Sequence, residues 1–186
     1  MTDQSKPLQP EQIFKRVMWR SILSIGAALE QSTTWTITGV AAIVGLFISN
    51  LDSASKIIAV SGIRWSLILF ASSLLAAAIS KQIGMAVQSG VRTIGELESL
   101  LNSEPGKKLM DAMTVEPREL MKEIAEPFLW PLSWVMRRGG ERGLQDYLSG
   151  DKRMVRMFCL QLYFNMLHSL LAVVALIVLA VSIKII

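Results

Sequence analysis

One cysteine, Cys159, and one histidine, His168, are the residues of this 186-residue chain best suited to covalent or acid–base chemistry. A thiol nucleophile needs a base within hydrogen-bond reach. Nine residues apart on a helix, the two point about half a turn away from each other, which argues against a thiol enzyme. Gln161, Asn165 and His168, at intervals of four and three, share one helix face, and Ser169 borders it. Polar groups inside an apolar run must meet protein or water. Three readings follow: a hydrogen-bonding seam against neighbouring helices or a second copy, the lining of a wet pore or proton path, and a haem or metal ligand at His168 that would need a second subunit to complete a bis-histidine site. The seam is the reading adopted here. The run from Leu170 to Val181 is uninterruptedly apolar, whereas a pore lining needs polar or small groups along its whole length. No glycine-rich phosphate loop, His-Glu-x-x-His or paired-cysteine motif occurs. No catalytic, cofactor-binding or metal-binding residue is assigned, and the chain is read as non-enzymatic.

These side chains lie on the last of three apolar runs. The third, Met157–Ile183 within a C-terminal region 157–186, is longer than a crossing of ~30 Å at ~1.5 Å per residue requires. Its first turns, around Phe158, Tyr163 and Phe164, are therefore expected at the interface. The first two runs, about 35–51 and 57–80, predict a transmembrane hairpin over 33–80. The first carries no ionisable residue, and Asn50, Asp52, Ser53 and Ser55 are expected to make the turn. Arg64, near the start of the second, can reach back to the headgroups while Trp65 anchors the interface. Small residues recur along one face of each helix: Gly39, Ala42 and Gly45 on the first; Ser72, Ala76, Ser80 and Gly84, with a second row of Ser73 and Ala77, on the second. They are expected where the two hairpin helices pack together.

Upstream, region 1–32 reads as a polar N-terminus followed by a basic amphipathic helix from Pro10. Ile13, Phe14, Val17, Met18, Ile22, Ile25 and Leu29 line one side; Gln12, Lys15, Arg16 and Arg20 line the other. Such a helix is expected along the anionic cytoplasmic leaflet, with Trp19 at headgroup level, until the chain turns in near Thr33. Packing against the chain's own cytoplasmic part would satisfy the same pattern. After Ser80 the helical period continues through Ile83, Val87, Val91, Ile94, Leu97 and Leu101, an association stripe on a rod that Asn102, Ser103, Pro105 and Gly106 end. Short helices are expected over 107–113 and 117–126. Segment 127–136, with Trp130, Trp134 and two prolines, is too short to span and is expected at the interface. Arg137–Gly143 reads as a basic, flexible turn, followed by a short helix to Leu148 that ends at Gly150.

A hydrophobic content of 52% and a mean hydropathy of +0.44 suit three spans. The net charge of +4 could point to nucleic acid, but the basic residues gather beside the apolar runs, so no nucleic-acid partner is expected. A single cysteine leaves no intrachain disulfide. The polar, acid-bearing N-terminus is unlike a signal peptide, and nothing is expected to be removed. Lys15, Arg16, Arg20, Lys81, Arg92, Arg137, Arg138, Arg142, Lys152, Arg153 and Arg156 predict a cytoplasmic N-terminus and cytoplasmic 81–156, with the hairpin turn and C-terminus outside. The sequence thus predicts an all-α polytopic membrane protein with three spans in a bacterial inner membrane. It is expected to need no cofactor, to partner the bilayer and either copies of itself or other membrane subunits, and to act as a structural or accessory subunit. An oligomeric pore-former and a haem-carrying redox subunit are the alternatives.

Overall fold

The computed structural model describes residues 10–112, 115–145 and 148–184. They form helices α1 (Pro10–Ser24), α2 (Gly26–Ser49), α3 (Leu51–Ile57), α4 (Val60–Asn102), α5 (Glu104–Asp111), α6 (Pro117–Ala125), α7 (Leu132–Gln145) and α8 (Ser149–Val181). Among the described residues the only β-type pairing is an isolated antiparallel bridge between Ile58 and Ile183. Three helical stretches, Pro10–Ser49, Val60–Asn102 and Ser149–Val181, are long and apolar enough to cross a membrane. The chain divides into two compact units, one built from 10–24 and 89–156, the other from 25–88 and 157–184.

In the second unit, α2 is 24 residues long, ~36 Å, which suffices for a bilayer core of ~30 Å. The helix starts at Gly26, not near Thr33. Nothing between them breaks it, and beyond Thr33 the helix continues with Thr34, Thr36 and Thr38 donating their hydroxyls to the carbonyls of Glu30, Ser32 and Thr34 at 2.8–3.0 Å, so that they need no water. Ser49 and Asn50 end it by drawing the Leu46 carbonyl into side-chain hydrogen bonds of 3.1 and 3.0 Å. The connection expected as a turn is itself mostly helical, as α3. Beyond it the chain is stapled to the end of α8: Ala59 N–H donates to the Ser182 carbonyl at 2.9 Å, Lys184 N–H to Ile57 at 2.8 Å, and the Lys184 ammonium to Ser55 at 2.8 Å. The α2–α4 connection and the end of α8 therefore lie together. Val40, Phe70, Ala172, Ala175 and Leu179 make the core, with Ile43, Val44, Phe47, Leu69 and Leu74 packed around it.

The first unit contains the far part of α4, from 89 to 102. Here the basic side of α1 packs on the chain's own helices, the second arrangement the sequence allows. Arg16 pairs with Glu98 and, at 3.1 Å, with Asp151, while Arg20 forks onto both Glu98 oxygens at 2.8 and 2.9 Å. Asp151 is only 7% exposed at its side chain, so these charges are partly desolvated and hold each other more tightly than a solvent-exposed pair would. The apolar side of α1 is left outward: Ile13, Phe14, Val17, Met18 and Ile22 are all exposed. Trp19 is half-buried.

Two further expectations are corrected in this unit. Arg137–Gly143 is no turn but the body of α7, because flanking helix formers outweigh three glycines that each cost about 1 kcal/mol. Gly150 does not end a helix; it lies in the first turn of α8, with Asp151 at the favoured acidic position. Segment 127–136 is part turn and part α7, with Pro131 just ahead of the helix, where its missing N–H costs nothing.

Candidate functional site

The polar residues of α8 meet those of α4 along a line with a seven-residue step. Ser66 Oγ donates to the Ala175 carbonyl at 3.1 Å, Ser73 Oγ to that of His168 at 2.9 Å, and Ser80 Oγ to that of Gln161 at 3.0 Å. Each serine advances by seven along α4 while its acceptor retreats by seven along α8. That is the register of two antiparallel helices supercoiled at 3.5 residues per turn. Serine fits because it is small enough to let the backbones close and carries one proton for an otherwise weakly used lone pair of a helical carbonyl. All three serines are completely buried.

Glycines allow the same approach. A Cβ built at Gly84 would stand 2.5 Å from the Gln161 amide nitrogen, and one at Gly62 would collide with the Ser182 side chain. α2 joins through Thr33, whose hydroxyl lies 2.8 Å from Asn165 Oδ1. One face of α8 thus ties all three helices of the unit.

His168 is completely buried and its bonds have one self-consistent pattern. With the Ser73 hydroxyl given to the His168 carbonyl, Nδ1–H donates to the Ser73 carbonyl at 3.0 Å and to its Oγ at 2.7 Å. Nε2 is then a bare lone pair, and it has no hydrogen-bond partner among the described residues. Gln161 Oε1, also buried, has none either. Both atoms are acceptors, so what the seam lacks is donors. A shallow apolar notch lined by Phe47, Ile63, Leu67, Phe70 and Leu179 borders the seam at Ser66 and has no room for a water molecule.

Of the residues singled out in the sequence, Gln161, Asn165 and His168 come together on this seam. Ser169 does not: it is exposed and bonds back to the Asn165 carbonyl at 3.0 Å. Ala76 and Ser80 are buried, whereas Ser72 is exposed and bonds its own Ile68 carbonyl at 2.9 Å. The small face of α2 is also corrected. Gly39, Ala42 and Gly45 are exposed, and nothing lies within 4 Å of a Cβ placed at either glycine. The reason is that α4 presents its serines and glycines to α8, whose polar face offers more than the apolar face of α2. The stripe beyond Ser80 divides too: Val87 is buried, Ile83, Val91 and Ile94 are half-buried, and Leu97 and Leu101 remain exposed. Arg64 and Trp65 are exposed, as are Trp130 and Trp134. Cys159 is exposed and His168 buried, so the two do not meet.

Sequence reasoning missed Thr33, Ser66 and Gly62 as partners of the seam, and had Ser73 and Gly84 only as small packing residues of the hairpin. The available signal was the recurrence of serine at 66, 73 and 80 beside the matching step of 161, 168 and 175. Among the described residues no group of three or more His, Cys, Asp or Glu side chains is gathered to hold a metal. Comparison of the chain with protein-family models, curated proteins and solved structures gives no match.

Proposed function

We propose that this protein is a non-enzymatic integral membrane scaffold or accessory subunit that acts through helix–helix association, in a bacterial inner membrane with its N-terminus and residues 81–156 cytoplasmic. The observation that carries the reading is the inward use of polarity. The serine and threonine hydroxyls at the seam are committed to carbonyls and side chains of the same chain. The outward surface of α2 is left with Gly39, Ala42 and Gly45, small residues of the kind that let a second helix approach closely. Chemistry on a substrate would call for the reverse, reactive groups turned to an accessible cleft. Mass measurement of the purified protein in nanodiscs tests the proposal. Wild type should run as a homo-oligomer, and Ala42→Leu/Gly45→Leu should shift it towards single chains. A wild type that is already a single chain, binds no other membrane subunit and yet conducts ions in liposomes would overturn it.

One observation favours a second reading. The bare Nε2 of His168 is the atom a proton carrier or a haem iron would use. Proton flux into liposomes that His168→Ala abolishes, or a Soret band in the purified protein, would replace the scaffold reading.

A further inference from the structure

The turn between α6 and α7 carries an apolar cluster that neither the seam nor the scaffold reading uses. Phe128, Leu129 and Trp130 follow one another at 40, 86 and 82% exposure, and Trp134, a turn into α7, is 52% exposed. This is a built turn. Ala125 is fully buried beneath it, Phe128 N–H donates to the Ala125 carbonyl at 3.3 Å, Ser133 N–H to Leu129 at 3.2 Å and Val135 N–H to Pro131 at 3.1 Å. Its carbonyls at 125, 129 and 131 are therefore met internally, as backbone entering a poorly hydrated layer must be. The Arg138 guanidinium stacks on Trp134, 5.0 Å from the ring centroid, and Arg137 is exposed beside it.

We infer that the α6–α7 turn is a membrane-docking tip, inserting Leu129 and Trp130 into the anionic leaflet of the bilayer that the chain itself spans. Indole rings prefer the headgroup boundary, where the apolar ring and the N–H are both accommodated. Arginine carries its stem along apolar surface and its charge to phosphate. Arg137 and Arg138, both exposed, put two adjacent positive charges on the α7 side of the tip, where they complement an anionic surface. The inference needs the spans but not self-association.

The test uses the full chain with Cys159→Ser and a nitroxide at Leu129→Cys, in nanodiscs of phosphatidylglycerol or of phosphatidylcholine. Leu129 is almost wholly exposed, so the label displaces no core residue. Labels at Ile177→Cys, on the exposed apolar side of α8, and at Lys108→Cys, on α5, give the lipid and water references. In phosphatidylglycerol the Leu129 label should collide more with oxygen than with an aqueous nickel complex, at a depth between the two references. The preference should shrink in phosphatidylcholine and in an Arg137→Glu/Arg138→Glu background. Nickel accessibility equal to that at Lys108 overturns the inference, as does protection from both reagents with spin–spin broadening that disappears on dilution with unlabelled chain, the mark of a second copy covering the tip. Insertion indifferent to lipid charge and to the arginines overturns the anionic preference.

Discussion

Ser72 and Ser73 are neighbours in sequence and opposites in the structure, and the contrast makes a sharp test of the α4–α8 seam. Ser73 is fully buried and sends its hydroxyl across to α8, while Ser72 is exposed and bonds its own helix at Ile68. Removing the hydroxyl in Ser73→Ala deletes the bond to the His168 carbonyl and one of the two acceptors of Nδ1–H. Interhelical hydrogen bonds in membranes average ~0.6 kcal/mol and reach ~1.7, and losing part of a second contact places the expected cost near ~1 kcal/mol. In Ser73→Leu the helices must also be pushed apart at a point with no spare volume. Overpacking of ~1–3 kcal/mol added to the lost bond gives about 2–4 kcal/mol. Ser72→Ala and Ser72→Leu should cost about nothing, since a bond within one helix is lost and the Leu side chain goes to lipid. Unfolding in mixed micelles of rising dodecyl sulfate content, followed by helix circular dichroism, reads all four. A Ser73→Leu protein as stable as wild type, or Ser72 variants as weakened as their Ser73 counterparts, would refute the register.

Three further outcomes follow from other parts of the chain. Asp151→Ala should destabilise the packing of α1 by about 2–3 kcal/mol, because Arg16 is left partly buried with a partner gone, and amide exchange in 10–24 should rise; Glu96→Ala, on the exposed side of α4, should leave it unchanged. Gly62→Ala must displace Ser182 at the end of α8, and a fall in micellar stability together with faster exchange at Ala59 and Lys184 checks it. Charge placement predicts that an impermeant maleimide added outside the cell labels Ser53→Cys and not Ser103→Cys, each in a Cys159→Ser chain; the converse pattern inverts the topology.

The all-helical class and the three apolar stretches were legible because composition and length decide them before any contact forms. Which faces meet was harder to read. Steps of four pointed to Ser72 with Ser80, yet a supercoiled antiparallel pair keeps a step of seven in register, which selects Ser66, Ser73 and Ser80 and turns Ser72 out. Gly39, Ala42 and Gly45 look like packing residues from sequence alone, but smallness is only permission to approach, and α4 found a better partner in the polar face of α8. The amphipathic pattern of α1 named two faces without naming what covers them. Glu98 and Asp151, at least 78 residues along the chain from Arg16 and Arg20, supplied the answer for the basic one. Gly139 and Gly140 suggested a turn, and the helix formed through them.

The claim on which the rest depends is that the seam closes within one chain. Ser66→Cys with Ala175→Cys, in a Cys159→Ser background, puts one thiol on each of the two residues that the Ser66 hydroxyl and the Ala175 carbonyl now join at 3.1 Å. After mild oxidation in native membranes, the product on a non-reducing gel should be a single chain whose altered mobility is reversed by reductant, unchanged when the protein is diluted with excess cysteine-free chain. A covalent dimer that diminishes on that dilution, or no cross-link under conditions that oxidise exposed control pairs, would contradict the intrachain seam.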